Sequence, residues 1–230
     1  EIKDRFAVAL AFGTAGLRGV IGLGTNLMNK YVVRRATQGI ANYISKHGEE
    51  LKNRGVVIGY DSRHFSPEFA LETALTLCAN GVKTYLFESL RPVPEISFSI
   101  RHLKCIAGIA ITASHNPAKY NGYKAYWEDG GQLPPAVSDK VLEEINALDM
   151  FDAKTMTEED AKASGLLTII GKEVDDAYID AVYTQAINPD VVKEVADTFK
   201  LVYTPIHGSG NKPVRAILEK SGFKHVIVVK

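Results

Sequence analysis

A hydroxyl, an imidazole and an amine fall within ten residues of one another in "GIAITASHNPAKYNGYKAYW", Gly108 to Trp127. An apolar run stops at Ser114-His115-Asn116-Pro117, and Lys124 follows in a second polar cluster. A serine exposed at a strand end, with backbone N–H groups around it, can carry a covalent phosphoryl group. The plainer reading is a turn, in which Ser114 and Asn116 bond local backbone and Pro117 stops the strand. His115 taken singly fits either reading. A second stretch, "FGTAGLRG", has glycines at 13, 16 and 19 with Arg18 between the last two. Glycines let backbone approach an anion closely, and a guanidinium fork suits phosphoryl oxygens. Its alternative is a flexible loop with a solvated arginine.

Other signals fail on spacing. "GLLTIIGKE" has five residues between its glycines and no Ser or Thr after Lys172, so it is no phosphate loop of the Walker type. "HGSGNKP" lacks the third glycine of a dinucleotide loop. No Gly-x-Ser-x-Gly surrounds Ser114, which excludes the esterase elbow. "YDSR", Tyr60 to Arg63, reads as a structural Asp–Arg pair before a catalytic one.

The elements that must position these residues alternate. Val32, Val33, Ala36, Ile40, Tyr43 and Ile44 recur at helical spacing between an Asn29 cap and a Gly48 stop. "GVVIGYD" reads as a buried strand. A helix follows, with Ser66 as N-cap, Pro67 at its first position and Gly81 closing it. Then come the strand "VKTYLFE", a short helix from Glu95 to His102 and the strand "CIAGIAITA". Strands alternating with helices predict an α/β fold with parallel pairing. "MFDAKTMTEEDAKASG" is polar and predicts a surface excursion, and Lys172 to Ile187 predicts a helix ended by Asn188-Pro189. From Lys200 a strand, a loop, a helix and a strand repeat the earlier grammar, with "KSGFKHVIV" echoing "ANGVKTYLF". Ligands of open α/β sheets bind beyond the carboxyl ends of strands. That rule selects Gly13–Gly19, Asp61–His64, Ser114–Pro117 and Pro205–Gly210.

At 230 residues and 46% apolar composition the chain can bury a real core. Its 27 basic and 27 acidic residues give no net charge and no electrostatic case for nucleic acid or an anionic membrane. The longest apolar run, Cys105 to Ala113, is too short to span a bilayer. Cys78 and Cys105 sit among apolar neighbours, as buried thiols of a cytoplasmic protein would. The start without a methionine and the stop inside an apparent strand predict a piece of a longer polypeptide.

"FGTAGLRG", "GYDSR", "TASHNPAKYNGYKAYWEDGGQL" and "YTPIHGSGNKPVRAILEKSGF" together resemble the α-D-phosphohexomutases, in the phosphoglucomutase/phosphomannomutase branch. The resemblance implies a mixed, mostly parallel sheet flanked by helices: residues 1–170 as domain I and 171–230 as the opening of a similar domain II. It implies a reversible shift of phosphate between the 1 and 6 positions of a hexose phosphate, through a phosphoserine and a bisphosphorylated sugar. Ser114 matches the phosphoserine and Lys124 the general acid/base. Arg18 matches the residue steadying the phosphoryl group and His115 a supporting contact. Arg18, Ser114, Asn116 and Lys124 would bind substrate. Glucose is favoured, with mannose and pentose phosphates open and the oligomeric state unread. Mg²⁺ is implied as well, held by the phosphate on Ser114 and by an Asp-x-Asp-x-Asp-Arg loop that these 230 residues lack. Its remaining ligands are therefore expected beyond Lys230, and the 230 residues alone are expected to be inactive. A binding module without turnover and a phosphoserine-type hydrolase stay as rivals.

Overall fold

The computed structural model describes residues 1–13 and 16–229, so Thr14 and Ala15 of the glycine stretch lie outside the described residues. The chain divides into two compact units, Glu1–Ile170 and Gly171–Lys230. The first runs α1 (Ile2–Phe6), β1 (Gly16–Val20), α2 (Lys30–Lys46), α3 (Glu49–Arg54), β2 (Val56–Tyr60), α4 (Ser66–Ala79) and β3 (Thr84–Phe87). It continues through α5 (Val93–His102), β4 (Ala107–Ile111), β5 (Tyr120–Trp127), α6 (Pro135–Asn146), α7 (Glu158–Ala163) and β6 (Leu167–Ile170).

Six strands form one sheet in the order β1-β5-β4-β2-β3-β6. β4, β2, β3 and β6 run parallel, while β5 and β1 are added antiparallel at one side. This is the mixed, mostly parallel α/β sheet expected from the sequence. α2 packs against α4 and α6 over one face, where Val56, Ile58, Ile109 and Ile111 are fully buried. α5 packs on β2 and β4, and its Ile96 and Ile100 meet Gly59 and Gly108, which alternate with those residues and so belong to the opposite face. The two crossovers run in opposite directions, β2–α4–β3 to one side of β2 and β3–α5–β4 back across it to the other. The carboxyl ends of β2 and β4 therefore flank the switch point where open α/β sheets bind ligands.

Asn29 caps α2 as expected, its side-chain oxygen accepting from the N–H groups of Tyr31 and Val32. The cap expected at Ser66 is corrected. Ser66 is the first residue of α4, behind Phe65 in a left-handed conformation, because its hydroxyl is spent on Asp61 Oδ1 at 2.8 Å. The polar stretch after Asp149 is also more than an excursion. Thr157 caps α7 by accepting from Asp160 N–H, Ala161 is buried, and β6 then pairs with β3 to widen the sheet.

The second unit comprises α8 (Lys172–Tyr183), α9 (Pro189–Val195), β7 (Lys200–Tyr203), α10 (Asn211–Lys220) and β8 (His225–Val228). Asn188-Pro189 begins α9 instead of ending α8, since proline is pre-set for a first helical turn. β7 and β8 pair in parallel with α10 between them in sequence. The echo noted above holds at the helix exits. Gly81 and Gly222 have φ of 74° and 93°, and each is followed by an N–H reaching back five residues, Val82 to Leu77 and Phe223 to Leu218. Among the described residues no helix is long and apolar enough to cross a membrane. Both cysteines are buried and unpaired, and burial pushes the Cys105 thiol up to about 12, which leaves it inert.

Candidate functional site

An antiparallel hairpin brings Ser114 and Lys124 to one end of the sheet. β4 carries the chain to the serine turn and β5 brings it back, so that Ala110 pairs with Lys124. On the other side of β5, Gly16 of β1 pairs with Lys124 and Arg18 pairs with Gly122. Residues opposite one another across antiparallel strands share a face. Arg18 and Lys124 thus stand on one face, each with a glycine opposite, while Leu17 and Tyr123 turn into the core. A Cβ on Gly16 would lie 1.9 Å from the Tyr123 carbonyl oxygen, and Gly16 has a φ of 142°. The glycine is needed for close strand pairing, not only for loop freedom. This differs from the expectation of a strand-end loop: Arg18 and Gly19 lie inside a strand. A cleft of about 290 Å³ opens over this face, lined by Gly13, Arg18, Thr112, Lys124 and Gln132 among others.

Ser114 is exposed and has a φ of 59°. A non-glycine residue held there stores about 1–3 kcal/mol, and such strain clusters at functional sites. The turn is held by Asn116 N–H donating to Ala113 O at 3.2 Å and by Ser114 N–H donating to Thr112 Oγ1 at 3.0 Å. Those two N–H groups are therefore committed within the turn. Two side-chain cations also reach it. Arg18 Nη1 donates to Asn116 Oδ1 at 2.8 Å, which brings a guanidinium within two residues of Ser114. Arg63 donates to the carbonyls of Ser114 and Asn116, both at 2.7 Å. His115 is exposed, and its Nδ1 lies 3.4 Å from Ser114 Oγ, too long for the contact of a base with its nucleophile.

Asp61 and Arg63 form the expected ion pair, Oδ2 to Nε 3.2 Å, at the end of β2. Asp61 Oδ1 accepts from Arg63 N–H and from Ser66, whose hydroxyl in turn accepts from Asn121 Nδ2 at 3.0 Å. Ser66 and Asn121 are fully buried, so this network fastens the start of β5 to the end of β2. Sequence reasoning missed Thr112, Gln132, Asn121 and the site role of Ser66. Only the position of Thr112, two residues before the serine, could have signalled one of them. Pro205–Gly210 lies in the second unit, in the loop between β7 and α10.

The Lys124 ammonium makes no hydrogen bond or ion pair among the described residues. Partial burial and the nearby Arg18 charge hold its ammonium pKa below the usual lysine value, against an upward pull from Asp61. The folded state thus binds this proton less tightly than the unfolded chain does. Raising pH from below the folded pKa toward 10.5 therefore adds stability. Arg18→Ala should raise the Lys124 pKa, as read by ¹³C NMR of methylated lysines with Lys124→Arg as the assignment control. An unchanged titration would leave burial as the whole cause.

The implied Mg²⁺ does not find its ligands here. Among the described residues no three His, Cys, Asp or Glu side chains are grouped to hold a metal. Asp61 beside the serine loop has both oxygens engaged. These residues alone do not fit the ion.

The site thus joins a strained, exposed serine to a ladder of cations and small residues at the switch point of the sheet. The family model for phosphoglucomutase/phosphomannomutase, alpha/beta/alpha domain I, matches residues 9–151. The chain belongs to this family. A phosphoglucomutase of Staphylococcus haemolyticus is 37% identical over 99% of the chain and 40% of its own length. Human phosphopentomutase is 32% identical over 94% of the chain and 36% of its own length. Mouse glucose 1,6-bisphosphate synthase is 33% identical over 100% of the chain and 38% of its own length. The chain thus spans about 40% of the length of such relatives. Among solved structures, the exocytosis-sensitive phosphoprotein parafusin of Paramecium, in its open form, superimposes with a TM-score of 0.71. It is 20% identical and is matched over 99% of this chain and 44% of its own. A Thermus thermophilus protein gives a TM-score of 0.76 at 23% identity, over 96% of this chain and 46% of its own. At those identities the superpositions speak for the fold.

Proposed function

We propose that the whole protein is a phosphosugar mutase, with residues 1–170 as domain I and the second unit as the opening of domain II. Ser114 carries the phosphoryl group. The observation that carries this reading is Ser114 itself: an exposed hydroxyl held at positive φ, tied by its loop to Arg18 and Arg63 and placed on the same hairpin as Lys124. In the forward step, a free hydroxyl of the sugar phosphate attacks the phosphorus on Ser114. The bond from phosphorus to Ser114 Oγ breaks, the serine oxygen keeps the electron pair, and the sugar hydroxyl proton passes to neutral Lys124. The bisphosphorylated sugar then reorients, Ser114 Oγ takes the other phosphoryl group, and Lys124 returns its proton to the departing sugar oxygen. The lowered pKa of Lys124 favours the neutral amine this requires. Arg18 neutralises charge spread over the phosphoryl oxygens. His115 and Asn116 border the same turn, Asn116 as the partner of Arg18.

Mg²⁺ would supply charge neutralisation at the phosphoserine in this reading, with its protein ligands expected beyond Lys230. Relatives named for glucose and for pentose phosphates both support a phosphosugar, and glucose 1-phosphate is the first substrate to try. The whole protein incubated with it should yield glucose 6-phosphate. Release of free phosphate would point instead to a hydrolase, and neither product to a binding module. In the same assay the 230 residues alone should be inactive for want of metal ligands.

A further inference from the structure

Two arginines meet the serine turn, and their hydrogen bonds differ in kind. Arg18 is exposed and makes one hydrogen bond among the described residues, Nη1 to Asn116 Oδ1. Arg63 is spent throughout. Its Nη1 donates to Pro117 O at 3.1 Å and Tyr120 O at 3.2 Å, and its Nη2 to Ser114 O and Asn116 O. Its Nε is buried at 3.2 Å from Asp61 Oδ2, too bent for a hydrogen bond, so that contact is electrostatic. A guanidinium has five N–H donors. Four of these are committed to one loop and the fifth faces a carboxylate, which leaves none for a ligand.

The geometry points to Arg63 as a positioning residue that holds Ser114 in its left-handed turn by gathering the carbonyls of residues 114–120, and not as a phosphate ligand. Four acceptors in one short loop converge on one side chain, from the first residue of the turn to the first of β5. Only a planar fork with several donors can meet them together; a lysine ammonium has three donors at one point. The fork is itself immobilised. Asp61 holds its backbone N–H and faces its Nε, Ser66 and Asn121 hold Asp61 in place, and Asp61 N–H donates to Ile111 O on the neighbouring strand. Arg63 therefore transmits the rigidity of the parallel sheet to the loop, and a free Ser114 would relax from φ 59° toward the ordinary regions.

The role in turnover rests on the mutase reading, whereas the restraint on the loop does not, and the test separates them. In the whole protein, Arg63→Ala should raise amide hydrogen exchange in residues 113–120 while α2 and α4 stay protected. It should also lower kcat by about 10²-fold with KM within about twofold, the scale of a misplacement of about 1 Å. Arg63→Lys should fall between wild type and alanine, and millimolar guanidinium ion should restore part of the alanine variant's kcat. A rise in KM with normal kcat would make Arg63 a substrate ligand and overturn the proposal. Unchanged exchange in 113–120 in both variants would overturn it as well. If Arg63→Ala does not fold, the lysine variant decides by the same two readings. Raised loop exchange in a protein without mutase activity would leave the clamp standing and remove the mutase reading.

Discussion

Ser114→Ala should abolish isomerisation in the whole protein and leave it folded. No neighbouring hydroxyl can take over. Thr112 is buried with its Oγ1 accepting from Ser114 N–H, and Ser138 is buried in α6 with its hydroxyl on Pro135 O. The stability change follows from the backbone more than from the hydroxyl. Alanine at φ 59° keeps the strain that serine bears, so its cost should stay within about 1 kcal/mol. Ser114→Gly would release that strain, and should be as inactive as alanine yet melt at a higher temperature. Peptide mass spectrometry after incubation with a sugar bisphosphate should place one phosphoryl group on Ser114 in wild type and none in either variant. An active alanine variant, or a phosphoryl group on Thr112, would end the assignment.

The second large effect is expected at the two cations. Arg18→Ala and Lys124→Ala should each lower kcat by roughly 10² to 10³, the scale for losing one preorganised group facing transition-state charge. Arg18→Lys should recover only part of the rate, because a point charge lacks the paired donors of guanidinium. Arg18 already has a neutral partner, Asn116 Oδ1. A phosphoryl group on Ser114 would compete for it, so Asn116→Asp should also slow turnover by tying Arg18 more strongly. A near-normal kcat with only KM raised, in either alanine variant, would make these residues ground-state binders.

Elements with strong local signals are legible in the sequence. The run ending at Ala113 is β4, Asn29 caps α2, and Gly81 closes the exit of α4 in the left-handed region. Others are hidden by their composition. β5 reads as a polar cluster because Asn121, Gly122 and Lys124 interrupt its aromatic residues, yet Asn121 and Gly122 are buried there by the hydrogen bonds of the site. β6 is four residues long and follows a polar stretch, so only its partner β3 makes it a strand. Arg63 shows the limit most clearly. Its partners are backbone carbonyls 51 to 57 residues away, and a carbonyl leaves no mark on the residue type that carries it. The candidate site can therefore be named by its side chains, while what holds the serine cannot.

The ladder that sets Gly16 against Lys124 and Arg18 against Gly122 has a consequence for grafting or lengthening this segment. The face that carries Arg18 and Lys124 is encoded by parity. Inserting one residue into β5 ahead of Tyr123 would exchange the two faces, driving the Lys124 amine into the core and turning the Tyr123 phenol outward. Inserting two would restore the faces but move Lys124 off its present partners, Gly16 on β1 and Ala110 on β4. Neither strand is portable alone. A protein engineer moving this site to another scaffold would have to carry β1, β4 and β5 as a single cassette, with Arg63 from the end of β2 to lock it.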